Sequence, residues 1–177
     1  QQGVVFLAGT GASAGDGDIT LRDAGTGSLR LGLMTATGGH FSAQTVMLAG
    51  DFTSTLSGDQ VFSDDTLDTL GDVNMTVAGN ERGPINAGGS VTINTGGSAN
   101  GAITAGGPVN VTSGGNSNRN IVSGGAVTLT STAGSVSGSV QTTGPVTISS
   151  AGTITGSYAS GGTIILNAGQ PINVQVN

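Results

Sequence analysis

The chain has no cysteine, no tryptophan and no lysine, and only one histidine and one tyrosine. Each gap removes a class of chemistry. Without cysteine there are no disulfides, thiolate metal sites or thiol nucleophiles. With four arginines as the only bases and a net charge of −6, the electrostatic footprint of a nucleic-acid binder is missing. No apolar run approaches the ~18 residues of a transmembrane helix. Charged residues make up only 8% of the chain, where about a quarter is usual for globular domains. Aromatics are 3%, too few for the stacking platforms of a typical glycan site. The chain opens on Gln1-Gln2, which reads as a processed chain or a fragment.

Small residues fill the space left. Glycine alone accounts for 34 of 177 positions, and threonine and serine are abundant. Mean hydropathy is +0.14, so the chain does not have the composition of a disordered polyelectrolyte. The charges are segregated. All ten acids lie between Asp16 and Glu81, and beyond residue 83 Arg119 is the sole charged side chain.

An internal repeat organises the chain. Its copies are Val73-Asn74-Met75, Val91-Thr92-Ile93, Val109-Asn110-Val111, Val127-Thr128-Leu129, Val146-Thr147-Ile148 and Ile164-Ile165-Leu166. Successive copies begin about 18 residues apart. Six positions before each start lies another large side chain: Leu67, Ile85, Ile103, Ile121, Val140 and Tyr158. Two positions before each start lies a glycine, at 71, 89, 107, 125, 144 and 162. Apolar and polar residues alternate within each unit, the spacing of a strand with one buried face. A unit this short buries its apolar side only against its neighbours.

The expected fold is therefore an all-β parallel β-solenoid with turns of about 18 residues and roughly eight to ten turns in all. Val136 and Ile154 add a third inward column, which predicts a triangular section of three short sheets. The core ladder comprises Ile85, Val91, Ile93, Ile103, Val109, Val111, Ile121, Val127, Leu129, Val140, Val146, Ile148, Tyr158, Ile164 and Leu166. The outward face carries Thr92, Asn94, Asn110, Thr112, Thr128, Thr130, Thr147 and Ser149.

Residues 67–168 form the regular coil and 1–66 an irregular one. The step from Val46 to Val73 reads as one and a half turns, and the acidic stretch Ser57–Asp68 as a bulge within an insertion near 50–72. Residues 169–177 form a terminal strand that follows Ile164 too soon to close a normal turn.

Gly88-Gly89-Ser90-Val91-Thr92-Ile93-Asn94 and Gly124-Gly125-Ala126-Val127-Thr128-Leu129-Thr130 resemble the repeats of filamentous-haemagglutinin-type exoproteins, adhesins secreted by a two-partner route. The resemblance covers residues 67–168 well and 1–66 loosely. It implies a right-handed coil and an extracellular place in a bacterial surface fibre or adhesin stalk. Gly134–Val140 is also similar to bactofilin repeats, which build polymers by end-to-end stacking.

Chemistry finds few candidates. His40 lacks a recognisable catalytic partner, so the chain is read as a non-enzyme without a cofactor. Asp64, Asp65 and Asp68, with Asp59 and Asp72 nearby, offer oxygen ligands of the kind calcium takes, without the spacing of a known loop. The outward Thr/Asn columns are a second candidate surface, for ice or a host-cell ligand. Self-association has the firmest physical basis, because the ends of a solenoid are open strand edges. Val4, Val5 and Phe6 at one end and Ile172, Val174 and Val176 at the other are the expected assembly residues, meeting head to tail or stacking on neighbouring repeats of a longer chain.

Overall fold

The computed structural model describes residues 20–22, 29–33, 41–43, 45–48, 51–56, 59–62 and 66–177, with side chains described for 51–55, 59 and 66–177. The described residues form strands joined by tight corners, and none is helical. In chain order the early strands are β1 (Thr20–Arg22), β2 (Leu29–Leu33), β3 (Phe41–Ala43), β4 (Thr45–Leu48), β5 (Phe52–Leu56), β6 (Gln60–Phe62) and β7 (Leu67–Thr69). They continue as β8 (Val73–Val77), β9 (Glu81–Arg82), β10 (Ile85–Ala87), β11 (Val91–Thr95), β12 (Ala99–Ala105), β13 (Val109–Ser113) and β14 (Ser117–Ser123). The last six are β15 (Val127–Ser131), β16 (Val136–Thr142), β17 (Val146–Ser150), β18 (Ile154–Ser160), β19 (Ile164–Ala168) and β20 (Ile172–Val176).

Every pairing among the described strands is parallel, and each strand pairs with its equivalent one turn away. The fold is a β-solenoid. One sheet stacks β2, β5, β8, β11, β13, β15, β17 and β19. Its register Val73↔Val91↔Val109↔Val127↔Val146↔Ile164 reproduces the repeat read from the sequence. The second sheet carries two faces. In the early turns these faces are separate strands, β3, β6 and β9 on one and β4, β7 and β10 on the other. Pro84, which has no N–H to give a ladder, parts β9 from β10. From β12 onward the two faces fuse into seven-residue strands. The three expected faces are present, but hydrogen bonding joins them into two sheets.

The fused strands bend at a glycine column. Gly101, Gly138 and Gly156 have φ of 119°, 117° and 140°, values open to glycine and costly for other residues. A Cβ at Gly138 would also meet the carbonyl oxygen of Arg119 on the turn before.

The core is a narrow apolar column along the axis. It runs through Val91, Ile93, Val109, Val111, Val127, Leu129, Val146 and Ile148 on one face, and Ile85, Ile103, Ile121, Val140 and Tyr158 on another. All are at most 2% exposed. Alternation is strict, with Val73, Met75 and Val77 buried and Asn74 and Thr76 exposed between them. Ile164 and Leu166 are only half buried, because they lie on the last turn.

Corners need their own hydrogen bonds, and buried hydroxyls supply many of them. The inward Ser or Thr at a strand end donates to a carbonyl near the corner of the preceding turn: Ser131 to Gly115 at 2.6 Å, Ser150 to Gly134 at 2.8 Å, Ser123 to Gly107 at 2.8 Å and Ser160 to Gly144 at 2.7 Å. Thr95 and Thr142 make the same bond to Gly79 and Gly125. Carboxylates and amides serve the backbone donors. Asn80 accepts the N–H of Ser98 and Asn116 that of Ser135, both at 2.9 Å. These bonds satisfy buried polar groups that the ladders leave over.

Val46 lies more than one turn before Val73: it pairs with Leu67, while Phe52 is the residue opposite Val73. Two sequence expectations are corrected. The stretch 57–68 does not leave the coil as a whole, because β6 pairs with β3 and β9, and β7 pairs with β4 and β10. The terminal strand does continue the coil. Ile172 pairs with Ile154 and Val176 with Tyr158, each on the turn before. Its partner is in the second sheet, so its closeness to Ile164 along the chain does not prevent the turn from closing.

Candidate functional site: the terminal rung and the outward columns

The terminal turn is formed by β19 and β20. Among the described residues, β19 pairs only with β17 and β20 only with β18, so each has one edge that no described strand covers. Ile164, Leu166, Ala168 and Val174 pack down onto the core with their upper sides uncovered. Ile165, Ile172 and Val176 are 48%, 45% and 56% exposed, three of the five large hydrophobic side chains that stand out among the described residues. Ile165 occupies a column held by Thr92, Asn110, Thr128 and Thr147 on earlier turns. The turn thus offers free N–H and C=O groups beside apolar side chains, the chemistry that accepts a further strand. At the opposite end, Val4, Val5 and Phe6 lie outside the described residues.

The outward columns are in register. Thr92, Asn110, Thr128 and Thr147 stack in one row, and Asn94, Thr112, Thr130 and Ser149 in the row beside it. Asn94, Asn110 and Thr112 are exposed and the others half buried by their neighbours. On another face, a shallow recess of about 490 Å³ is lined by Asn120, Val122, Ser139, Gln141, Ser157 and Asn177, among others. It is uncharged, and Asn120 uses its side-chain oxygen to accept from the N–H and hydroxyl of Ser139.

The described aspartates work as hydrogen-bond acceptors between turns. Asp59 accepts the N–H of Asn80 at 2.6 Å, and Asp68 accepts from the Asn86 amide at 2.8 Å. Asp51 accepts the N–H of Asp72, and Asp72 in turn accepts the N–H and hydroxyl of Ser90. The bonds from Ser90 hold the Asp72 carboxyl below its usual range. Asp64, Asp65 and His40 lie outside the described residues. Among the described residues, no three His, Asp or Glu side chains come together to hold a metal ion. No helix among them is long and apolar enough to cross a membrane. Of the aromatics, Phe52 and Tyr158 are buried, and neither offers a ring to a ligand.

Sequence reasoning missed one feature. Glu81 and Arg119 are buried inside the coil, at 0% and 1% exposure, and form an ion pair with each other. Glu81 occupies the inward column that continues as Ala99, Ser117, Val136 and Ile154. That column could have been traced by stepping back from Val136 and Ile154. Arg119 stands in the glycine column, between Gly101 and Gly138. Its own φ is not positive, and it points inward. Burial pushes its guanidinium down to about 9, still above neutral pH, and the touching Glu81 carboxylate favours the charged form.

The fold places this chain among parallel β-solenoid repeat proteins. Comparison with family models, curated proteins and solved structures finds no match.

Proposed function

We propose that the protein is a non-enzymatic structural element of a bacterial surface fibre or adhesin stalk, working outside the cell as a stiff rod that extends by stacking turn on turn. The observation that carries this reading is the terminal turn, whose edges and apolar side chains match what each earlier turn presents to the next. The next turn is supplied by a second copy or by neighbouring repeats of a longer chain. Continuous backbone ladders and a narrow dry core supply stiffness. The scarcity of acids, bases and aromatics on the described outward faces supports a mechanical role.

Negative-stain microscopy of the purified chain across a concentration series tests the reading. Thin filaments that lengthen with concentration, and are lost on deletion of residues 170–177, are expected for a subunit. Short isolated rods at every concentration would remove self-assembly and leave the stalk segment.

The in-register Thr/Asn columns favour a second reading, a binding face for ice or a host surface. Absence of thermal hysteresis and of ice recrystallisation inhibition at micromolar protein would dismiss its ice-binding form.

A further inference from the structure

In a solenoid each turn ordinarily contacts only its two neighbours, so its stability is a sum of nearest-neighbour interfaces. The Glu81–Arg119 contact departs from that rule. Glu81 lies on β9 and Arg119 on β14, and β12 runs between them. The intervening residues are shaped to let the side chains meet. Ala99, directly over Glu81, and Ser117, beside Arg119, are small, whereas the same column continues as Val136 and Ile154 once the arginine is passed. Gly101, under Arg119, has no side chain at all. Arg119 also interrupts a column that holds glycine at 83, 101, 138 and 156 before it ends on Val174 at the last turn.

Among the described residues, neither charge has a second partner. The remaining nitrogens of the guanidinium and the Ser117 hydroxyl are buried without a hydrogen bond. Peeling β14 from the stack therefore withdraws the partner of Glu81, and peeling β9 withdraws that of Arg119. A buried charge left alone is strongly unfavourable, far more so than a mismatch among apolar residues.

We propose that the Glu81–Arg119 pair is an internal clamp that makes the turns of β9, β12 and β14 open as one unit, so that unzipping from either end is arrested there. The clamp is independent of what the rod attaches to, and it joins the last turn whose two faces are separate strands to the first turns where they are fused.

Native-state hydrogen exchange on the full chain tests it. In the parent, amides of β9, β12 and β14 are expected to share one opening constant within about threefold. In Glu81→Met/Arg119→Met, which removes both charges at similar volume, the constants are expected to spread by about tenfold or more from turn to turn. Glu81→Gln/Arg119→Gln serves the same comparison if the first variant does not fold. A parent already graded from turn to turn, or a charge-free variant that still opens as one block, overturns the proposal.

Discussion

At the residue scale, the energetics turn on a few side chains that break the repeat. Arg119 is the sharpest case. Its removal as Arg119→Ala strands the Glu81 carboxylate inside the coil and leaves a void there. A loss of about 3–5 kcal/mol is expected, read from urea unfolding at pH 7. Replacing both partners with apolar side chains should restore most of that loss, since the desolvation of two charges also disappears. Tyr158 gives a pH signature. Burial pushes its hydroxyl from 10.0 up to about 12, and it donates to the Thr155 carbonyl at 3.0 Å. Below pH 10 the ring is neutral both folded and unfolded, so it adds no slope. Between pH 10 and 12 the unfolded chain ionises first, so stability falls as pH rises. Tyr158→Phe should cost about 1 kcal/mol at pH 7 and flatten that alkaline slope, measured by urea titrations at pH 7 and 11.

At the scale of the strand and its corner, two interactions recur at each turn: an apolar pair facing in and a hydroxyl tying the corner. Val109 and Ile121 lie at the middle of the stack and are at most 1% exposed. Val109→Asp or Ile121→Asp would bury a carboxylate among apolar neighbours, and loss of the cooperative melt is expected by circular dichroism. A fully soluble variant with unchanged melting would refute the inward face. Ser131→Ala removes the 2.6 Å bond to Gly115, whose carbonyl keeps the Ser113 hydroxyl, and takes away the acceptor of the Gly134 N–H, at an expected cost of about 1 kcal/mol. The strands after Leu67 were legible in the sequence because their spacing is nearly constant. The earlier ones were not, because their steps vary. Leu29 pairs with Phe52 and Thr20 with Thr45, both longer steps than those of the regular coil and unequal to each other, so no single period aligns them. The fusion of two faces into one sheet was also hidden, since it depends on whether a corner keeps its backbone donors.

At the scale of the whole molecule, the coil is a stack of near-equivalent turns, and length is its free variable. Duplicating residues 109–126 in tandem, directly before Val127, should add one turn and lengthen the rod by about 4.8 Å, with melting unchanged or raised. Small-angle scattering and thermal melts would check this, and a lost transition would contradict additive stacking. The parallel coil, its inward columns and its corner glycines were determined by the sequence alone, because a short amphipathic repeat has no other way to cover its apolar side. The partnership of Glu81 with Arg119, the true phase of Val46 and the docking of Ile172 on Ile154 were decided only by the tertiary structure. Each depends on which residues lie one or two turns away, and turns of unequal length conceal that distance along the chain.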